Sequence, residues 1–262
     1  MRVHHLDCAC MCPFGGARLG GVDQMVGHCL LIETERGLVL VDTGFGTEDA
    51  RRLPRLFKVA SGPKLTPDRT AIAQVKRLGL DPADVRDIIV THLDLDHAGG
   101  LSDFPNARVH LHETEFDAFT RRLTWWERLR YVPSQAAHGP AFVRHAATGE
   151  PWKGFDAVRD LGLGDDILAI PLPGHTRGHW AIAVKADARW LFHCGDQYAN
   201  RGMLASPSTA PVGIRAFERF IAWDHGKVRA NQERIRAIAR DPDVTVFSAH
   251  DADEFAVLAV PA

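Results

Sequence analysis

The residues best suited to chemistry in this chain lie in one decapeptide, Thr91-His92-Leu93-Asp94-Leu95-Asp96-His97-Ala98-Gly99-Gly100. Two imidazoles and two carboxylates follow directly on the apolar run Ile88-Ile89-Val90. A strand of that composition is buried, so its polar end faces an internal cleft or water. Two His and two Asp gathered at a buried strand end would repel one another or stay unpaired without a cation. A divalent metal resolves the conflict, because imidazole and carboxylate are its ordinary ligands. In an extended stretch His92, Asp94 and Asp96 point to one side, and His97 follows as the chain turns. Gly99-Gly100 then lets the backbone pack closely.

Three further segments end in the same way. Pro171-Leu172-Pro173-Gly174 leads into His175, Phe192-His193-Cys194-Gly195 into Asp196, and Val246-Phe247-Ser248-Ala249 into His250. Each alone is an ordinary cap or surface residue. Together with the first cluster they supply seven donors, enough for two metals that share one carboxylate.

The elements that must position these donors can be read from the apolar periodicity. Residues 27–34 and 37–44 predict a hairpin turning at Glu35-Arg36-Gly37. Residues 47–79 turn helical late, with Ala71, Val75 and Leu78 on one face. Strands are expected at 87–92, 107–112, 165–175, 179–186, 189–196 and 244–250, and helices at 113–132 and 216–240. The stretch 133–156, rich in Pro, Gly, Ala and His, shows no period and reads as a surface excursion. With 113–132 it forms a candidate substrate lid over 113–156. Each half runs strands first and helices after, which predicts two β-rich halves stacked with helices outside. No domain boundary stands out, so 1–262 is taken as a single domain.

The pattern His92-x-Asp94-x-Asp96-His97, followed far downstream by His175, Asp196 and His250, resembles the metallo-β-lactamase-fold superfamily. Its usual form is H-x-H-x-D-H and then a distant His, Asp and His. Val41-Asp42-Thr43-Gly44-Phe45-Gly46 resembles the superfamily's second-strand motif, so the likeness covers nearly the whole chain. Thr91–Gly100 and Pro173–His179 look closest to the quorum-sensing lactonases and the ester and organophosphate hydrolases. The resemblance implies an α+β fold, an αββα sandwich of two mixed sheets with outer helices and the site at one sheet edge. It implies two divalent metal ions, zinc first: His92, Asp94 and His175 on one, Asp96, His97 and His250 on the other, Asp196 bridging. The activity implied is hydrolysis of a lactone or carboxylic ester by a metal-bridging hydroxide, with thioesters and organophosphates behind. Asp96 would also shuttle a proton to the leaving group.

Position 94 departs from the pattern. Two divalent cations, three Asp and a hydroxide sum to zero, whereas His at 94 would leave +1. A neutral cluster polarises bound water less and prefers harder metals, which brings iron or manganese into play. Two other readings follow: a non-haem iron redox enzyme, and a metal-binding protein with little turnover.

Tyr198 stands two residues after Asp196, where some lactonases place a Tyr at three; in the cleft it would hydrogen-bond the developing oxyanion. Cys8, Cys10 and Cys12 lack the second Cys pair of a zinc site and read as reduced thiols. Cys194 reads as a buried small hydrophobe, and His179 and His193 as core residues unless they donate to ligand carboxylates. His110 and His112 alternate on a strand unrelated to the metals. Trp125 and Trp126 could line an acyl pocket, and Arg51-Arg52-Leu53-Pro54-Arg55 reads as a solvated face. With 31 Lys+Arg against 33 Asp+Glu, the 262-residue chain has a net charge of -2 and no field for nucleic acid. Its apolar runs are strand-sized, which argues against a membrane span, and its first residues lack an export signal. The expected partner is a small-molecule substrate in the cytoplasm, with the oligomeric state, a homodimer included, left open.

Overall fold

The computed structural model describes residues 1–164 and 166–259. Asp165, the first residue of the strand expected at 165–175, and residues 260–262 of the expected domain lie outside that description. Two six-stranded sheets carry the fold. The first runs in chain order through β1 (Arg2–Asp7), β2 (His28–Thr34), β3 (Gly37–Val41), β4 (Val85–Ile89), β5 (Arg108–His112) and β6 (Ala141–His145). The second is ordered from β12 (Val244–Phe247) back through β11 (Arg189–His193), β10 (Trp180–Ala186), β9 (Ile167–Pro171) and β8 (Phe155–Asp160) to β7 (Glu150–Trp152).

Around the sheets lie α1 (Asp49–Arg52), α2 (Arg55–Ser61), α3 (Ala71–Arg77), α4 (Leu95–Ala98), α5 (Glu113–Arg121), α6 (Trp125–Arg130), α7 (Val212–Ile221), α8 (His225–Ile238) and α9 (Ala252–Leu258). Among the described residues no helix is long and apolar enough to cross a membrane. Two mixed sheets flanked by helices are the fold class expected from the sequence.

One apolar cluster joins the sheets: Leu30, Ile32, Val39, Val41 and Ile89 from the first pack with Ile167, Ala169, Trp180, Ile182 and Phe247 from the second. Alternation along the strands produces this, since every second residue of β2 and β3 faces the partner sheet and the others face helices. Leu31, Leu40, Ile88 and Val109 accordingly belong to a separate cluster with Ala71, Val75 and Phe119.

Three expectations are corrected. Residues 133–156 are not irregular throughout: β6 closes the first sheet by pairing with β5, and β7 opens the second by pairing with β8. Both are edge strands and largely solvated, so no inward alternation marks them in the sequence. The helix expected at 113–132 breaks at Arg122, which takes a left-handed φ of 42°. Thr124 and Glu127 then cap α6 reciprocally, each side chain bonding the other's backbone N–H. The helix expected at 216–240 is two, α7 and α8, the second capped by Asp224 through the Lys227 N–H.

Candidate metal centre

Chain direction explains why distant donors meet. Strands β3 and β4 are parallel, and so are β11 and β12, while β9 and β11 both run antiparallel to β10. The segments leaving β9, β11 and β12 therefore emerge at one edge of the second sheet, carrying His175, Asp196 and His250, and the segment leaving β4 in the first sheet brings His92–His97 to the same place. Two glycines permit the close packing. Gly195 has φ 54°, and a Cβ there would stand 2.4 Å from His179 Nε2. At Gly99 a Cβ would meet Asp49 Oδ2 at 2.0 Å.

All seven expected donors come together. His92, Asp94 and His175 form one triad and Asp96, His97 and His250 another, with the donor atoms of each within 4.8 Å of one another. Asp196 lies between them: its Oδ2 is 3.3 Å from His175 Nε2 and 3.2 Å from His250 Nε2, and its Oδ1 is 3.2 Å from His97 Nε2. His92 Nε2, His97 Nε2 and Asp196 Oδ1 are buried without a hydrogen-bond partner. Buried polar atoms are ordinarily paired, so three orphans aimed into one small volume fit a metal.

The imidazoles are oriented from behind. Asp42 Oδ1 accepts the Thr91 N–H at 2.7 Å, and Oδ2 accepts the Thr91 hydroxyl at 2.8 Å and His97 Nδ1–H at 2.9 Å. Thr91 Oγ1 in turn lies 3.0 Å from His92 Nδ1. Because the hydroxyl proton goes to Asp42, Oγ1 receives the His92 Nδ1–H. One carboxylate thus fixes the Nδ1 proton of both rings and leaves Nε2 as the atom each can offer a metal. His250 Nδ1 lies 2.8 Å from the Val26 carbonyl and is set the same way. Asp42 holds a left-handed φ of 57°, strain that its three hydrogen bonds offset. Glu115 steadies the next turn, accepting the N–H groups of Leu93 and Gly178 and the Tyr131 hydroxyl.

Charge in the centre is unevenly placed. Burial would lower the His97 pKa, yet Asp196, Asp42 and Asp96 lift it well above the usual range. Asp196 and Asp96 likewise outweigh burial at His250 and carry it up to about 9. Burial and the neighbouring His97 keep His92 neutral. At Asp94 burial is outweighed by Arg130 and by His92, and the carboxyl is held well below its ordinary value. Arg130, the last residue of α6, reaches Asp94 with Nε at 2.7 Å and Nη2 at 2.7 Å. Nothing in the local sequence marked this arginine. The only available signal was the question of what cation answers the extra carboxylate at 94.

Other candidates fall elsewhere. Tyr198 does not reach the cleft: it is fully buried in the core of the second sheet, its hydroxyl donating to Glu254 at 3.0 Å. An offset of two along the chain turned it inward. His179 donates to no ligand carboxylate. Its pKa is lowered to about 3 by burial and His175, and its Nε2 accepts the Asp196 N–H at 3.0 Å. His193 accepts the Gly195 N–H through Nδ1 and reaches the His28 carbonyl at 2.5 Å through Nε2. Both histidines pin the turn that carries Asp196.

His110 pairs with Asp87 and His145, and His112 caps α5, both outside the cluster. Cys8, Cys10, Cys12 and Cys194 are free, and all but Cys12 are buried. Arg52 leaves the expected solvated face: it is largely buried, pairs with Asp49 at 3.2 Å and donates to the Gly99 carbonyl at 2.9 Å. Trp125 is 68% exposed, and Trp126 meets Phe220 of α7 edge-on at 5.0 Å.

Comparison with known proteins agrees with this architecture. A probable metallo-hydrolase of Mycobacterium tuberculosis is 43% identical over 258 residues, 97% of this chain and 81% of that protein. An N-acyl homoserine lactonase of Bacillus thuringiensis is 39% identical over 232 residues, 86% of this chain and 81% of the relative. Among solved structures, an N-acyl homoserine lactone hydrolase with N-hexanoyl-L-homoserine at its catalytic metal centre superposes with a TM-score of 0.72. That match covers 97% of this chain and 95% of the other at 21% identity, which speaks to the fold. Residues 22–250 match the family described as the Metallo-beta-lactamase superfamily, and with the relatives above this shows that the chain belongs to that superfamily.

Proposed function

We propose that the chain is a dinuclear metal-dependent hydrolase acting on a lactone or carboxylic ester. The observation that carries this reading is the convergence of three partnerless buried atoms, His92 Nε2, His97 Nε2 and Asp196 Oδ1, between two His/Asp triads. His92, Asp94 and His175 would hold one ion, Asp96, His97 and His250 the other, and Asp196 both. Bound there, divalent ions such as zinc would activate water and polarise a carbonyl. The relatives described as a metallo-hydrolase and an N-acyl homoserine lactonase support the reaction class. The cluster joining the two sheets is our reason for reading the chain as one domain.

The chain's own residues have definable tasks in this reading. Asp42, Thr91 and Val26 hold the imidazole lone pairs inward. Metal binding needs His97 and His250 free of the Nε2 protons that Asp196 favours there, so affinity falls at low pH. Asp96, whose carboxyl is raised by burial and by the charges of Asp196 and Asp94, is the group placed to pass a proton to a leaving group. Arg130 revises the charge count: its guanidinium cancels Asp94, so the set is as positive as one with His at 94. That offsets the charge argument for iron or manganese, and zinc stays the first choice.

Trp125 and Leu129 of α6 and Phe220 of α7 are exposed apolar side chains on helices that Arg130 ties to the first triad, and in this reading they receive the acyl part of a substrate. A panel of N-acyl lactones, aryl esters and thioesters, assayed on zinc-loaded and chelator-stripped protein, tests the reading. Turnover that follows zinc and rises with acyl length is expected. Undiminished turnover after stripping, or none on any member when loaded, overturns it.

A further inference from the structure

Arg130 does more than sit beside the first triad. Its side chain is 10% exposed, and every N–H it owns has a partner. Nε lies 2.7 Å from Asp94 Oδ1 and 3.0 Å from Oδ2. Nη1 donates to the carbonyls of His175 at 2.9 Å and Ile221 at 2.7 Å. Nη2 donates to Asp94 Oδ2 at 2.7 Å and to His175 Nε2 at 2.5 Å. The last two atoms are the ones this triad would offer a metal.

A carboxylate oxygen has a lone pair to spare, but a neutral imidazole has only one. His175 Nε2 therefore serves either Arg130 or an ion, not both. No side-chain N–H competes in the second triad: His97 Nε2 faces the carboxylate of Asp196, with Oδ1 at 3.2 Å. His250 Nε2 faces only the carboxylates of Asp196 and Asp96, at 3.2 Å and 3.5 Å.

We propose that Arg130 is a built-in cation of the His92–Asp94–His175 triad and makes the two metal positions unequal. The Asp96–His97–His250 position fills first, and the other fills only when the Arg130 fork gives up His175. This rests on the metal-centre reading above and adds to it an order of filling and the residue that imposes it. The guanidinium is held on three sides: by Asp94, by the His175 backbone and by the end of α7. Losing one charge-assisted bond to His175 separates the two steps by about tenfold or more in affinity.

Zinc is titrated into stripped full-length protein, with stoichiometry read by calorimetry and the Arg130 Nε–Hε resonance followed by NMR. Two resolved steps are expected, with the Arg130 resonance still through the first and moving with the second. Arg130→Met should bring the second step about tenfold closer to the first, and His250→Ala should remove the first. Two equal steps in the native chain overturn the proposal while leaving the metal-centre reading intact. So does an Arg130 resonance that moves with the first equivalent. The resonance needs no variant and decides the matter even if Arg130→Met does not fold. Absence of any zinc step overturns the metal-centre reading, and the proposal with it.

Discussion

Replacing Asp42 by asparagine exchanges one oxygen for an amide nitrogen at the point where two imidazole tautomers are set. Backbone strain is not a confounder, because Asn tolerates the left-handed φ of 57° that Asp42 adopts. The variant keeps its oxygen on the Thr91 N–H, held at 2.7 Å by the native carboxylate. Its NH2 group then stands where Oδ2 stood, facing the Thr91 hydroxyl and His97 Nδ1. The hydroxyl can turn round and accept, but it must then donate to His92 Nδ1. His97 must likewise present a lone pair to the amide. In both rings the proton moves to Nε2, the atom that should hold metal.

Metal binding can force the proton back only by leaving buried donors face to face, at about 1–3 kcal/mol for the His97 contact alone. That is roughly a 10–100-fold loss of affinity, the range found when a ligand's orienting partner is removed. Competition for zinc against a chromogenic chelator at pH 7.5 and 8.5 measures it. Asp42 is also one of the charges that lift the His97 pKa, so the variant is spared part of the proton release and the loss should be larger at pH 8.5 than at pH 7.5. Affinity within about twofold of the native chain, or a loss that vanishes at the higher pH, would refute this account of how the rings are set.

Asp94→His restores the residue usual at that position but strands the Arg130 guanidinium. We expect it to cost about 3–5 kcal/mol in urea unfolding, and Arg130→Met in the same chain to recover most of that. A fully stable single variant would show that Asp94 is not what holds Arg130. Glu218 of α7 is buried with one oxygen unpartnered, and burial pushes its carboxyl to about 8. The folded chain therefore keeps a proton that the unfolded chain loses near pH 4.5, and stability is lost as pH rises between those values. Glu218→Gln should match the native chain near pH 4.5 and exceed it by about 4 kcal/mol at pH 8, taking 1.36 kcal/mol per unit. A stability difference independent of pH would rule this out.

The centre was legible because each strand that supplies it is apolar up to its last residues and then turns abruptly to His or Asp. Ile88-Ile89-Val90 before His92 and Val246-Phe247 before His250 are of this kind, and parallel strands bring such ends to one edge. The hairpin of β2 and β3 was equally plain, since two apolar runs flank a short polar turn. Edge strands were not. In β1, Arg2, His4 and Asp7 stay partly solvated, and β6 and β7 likewise lack a buried face to impose alternation. The break between α5 and α6 did leave a signature, Thr124-Trp125-Trp126-Glu127, but a continuous apolar stripe masked it. Arg130 lies 36 residues from Asp94 along the chain, and no local pattern ties a helix-end arginine to a distant carboxylate.

The central claim is that these side chains hold metal. Crystals grown with zinc, with anomalous data collected on both sides of its absorption edge, test it without recourse to a substrate. The account predicts a peak about 2.0–2.2 Å from the Nε2 atoms of His97 and His250 and beside Asp196. Any second peak should lie between His92, Asp94 and His175, at lower occupancy. No anomalous density within reach of His97 and His250, in crystals that take up zinc elsewhere, would contradict it.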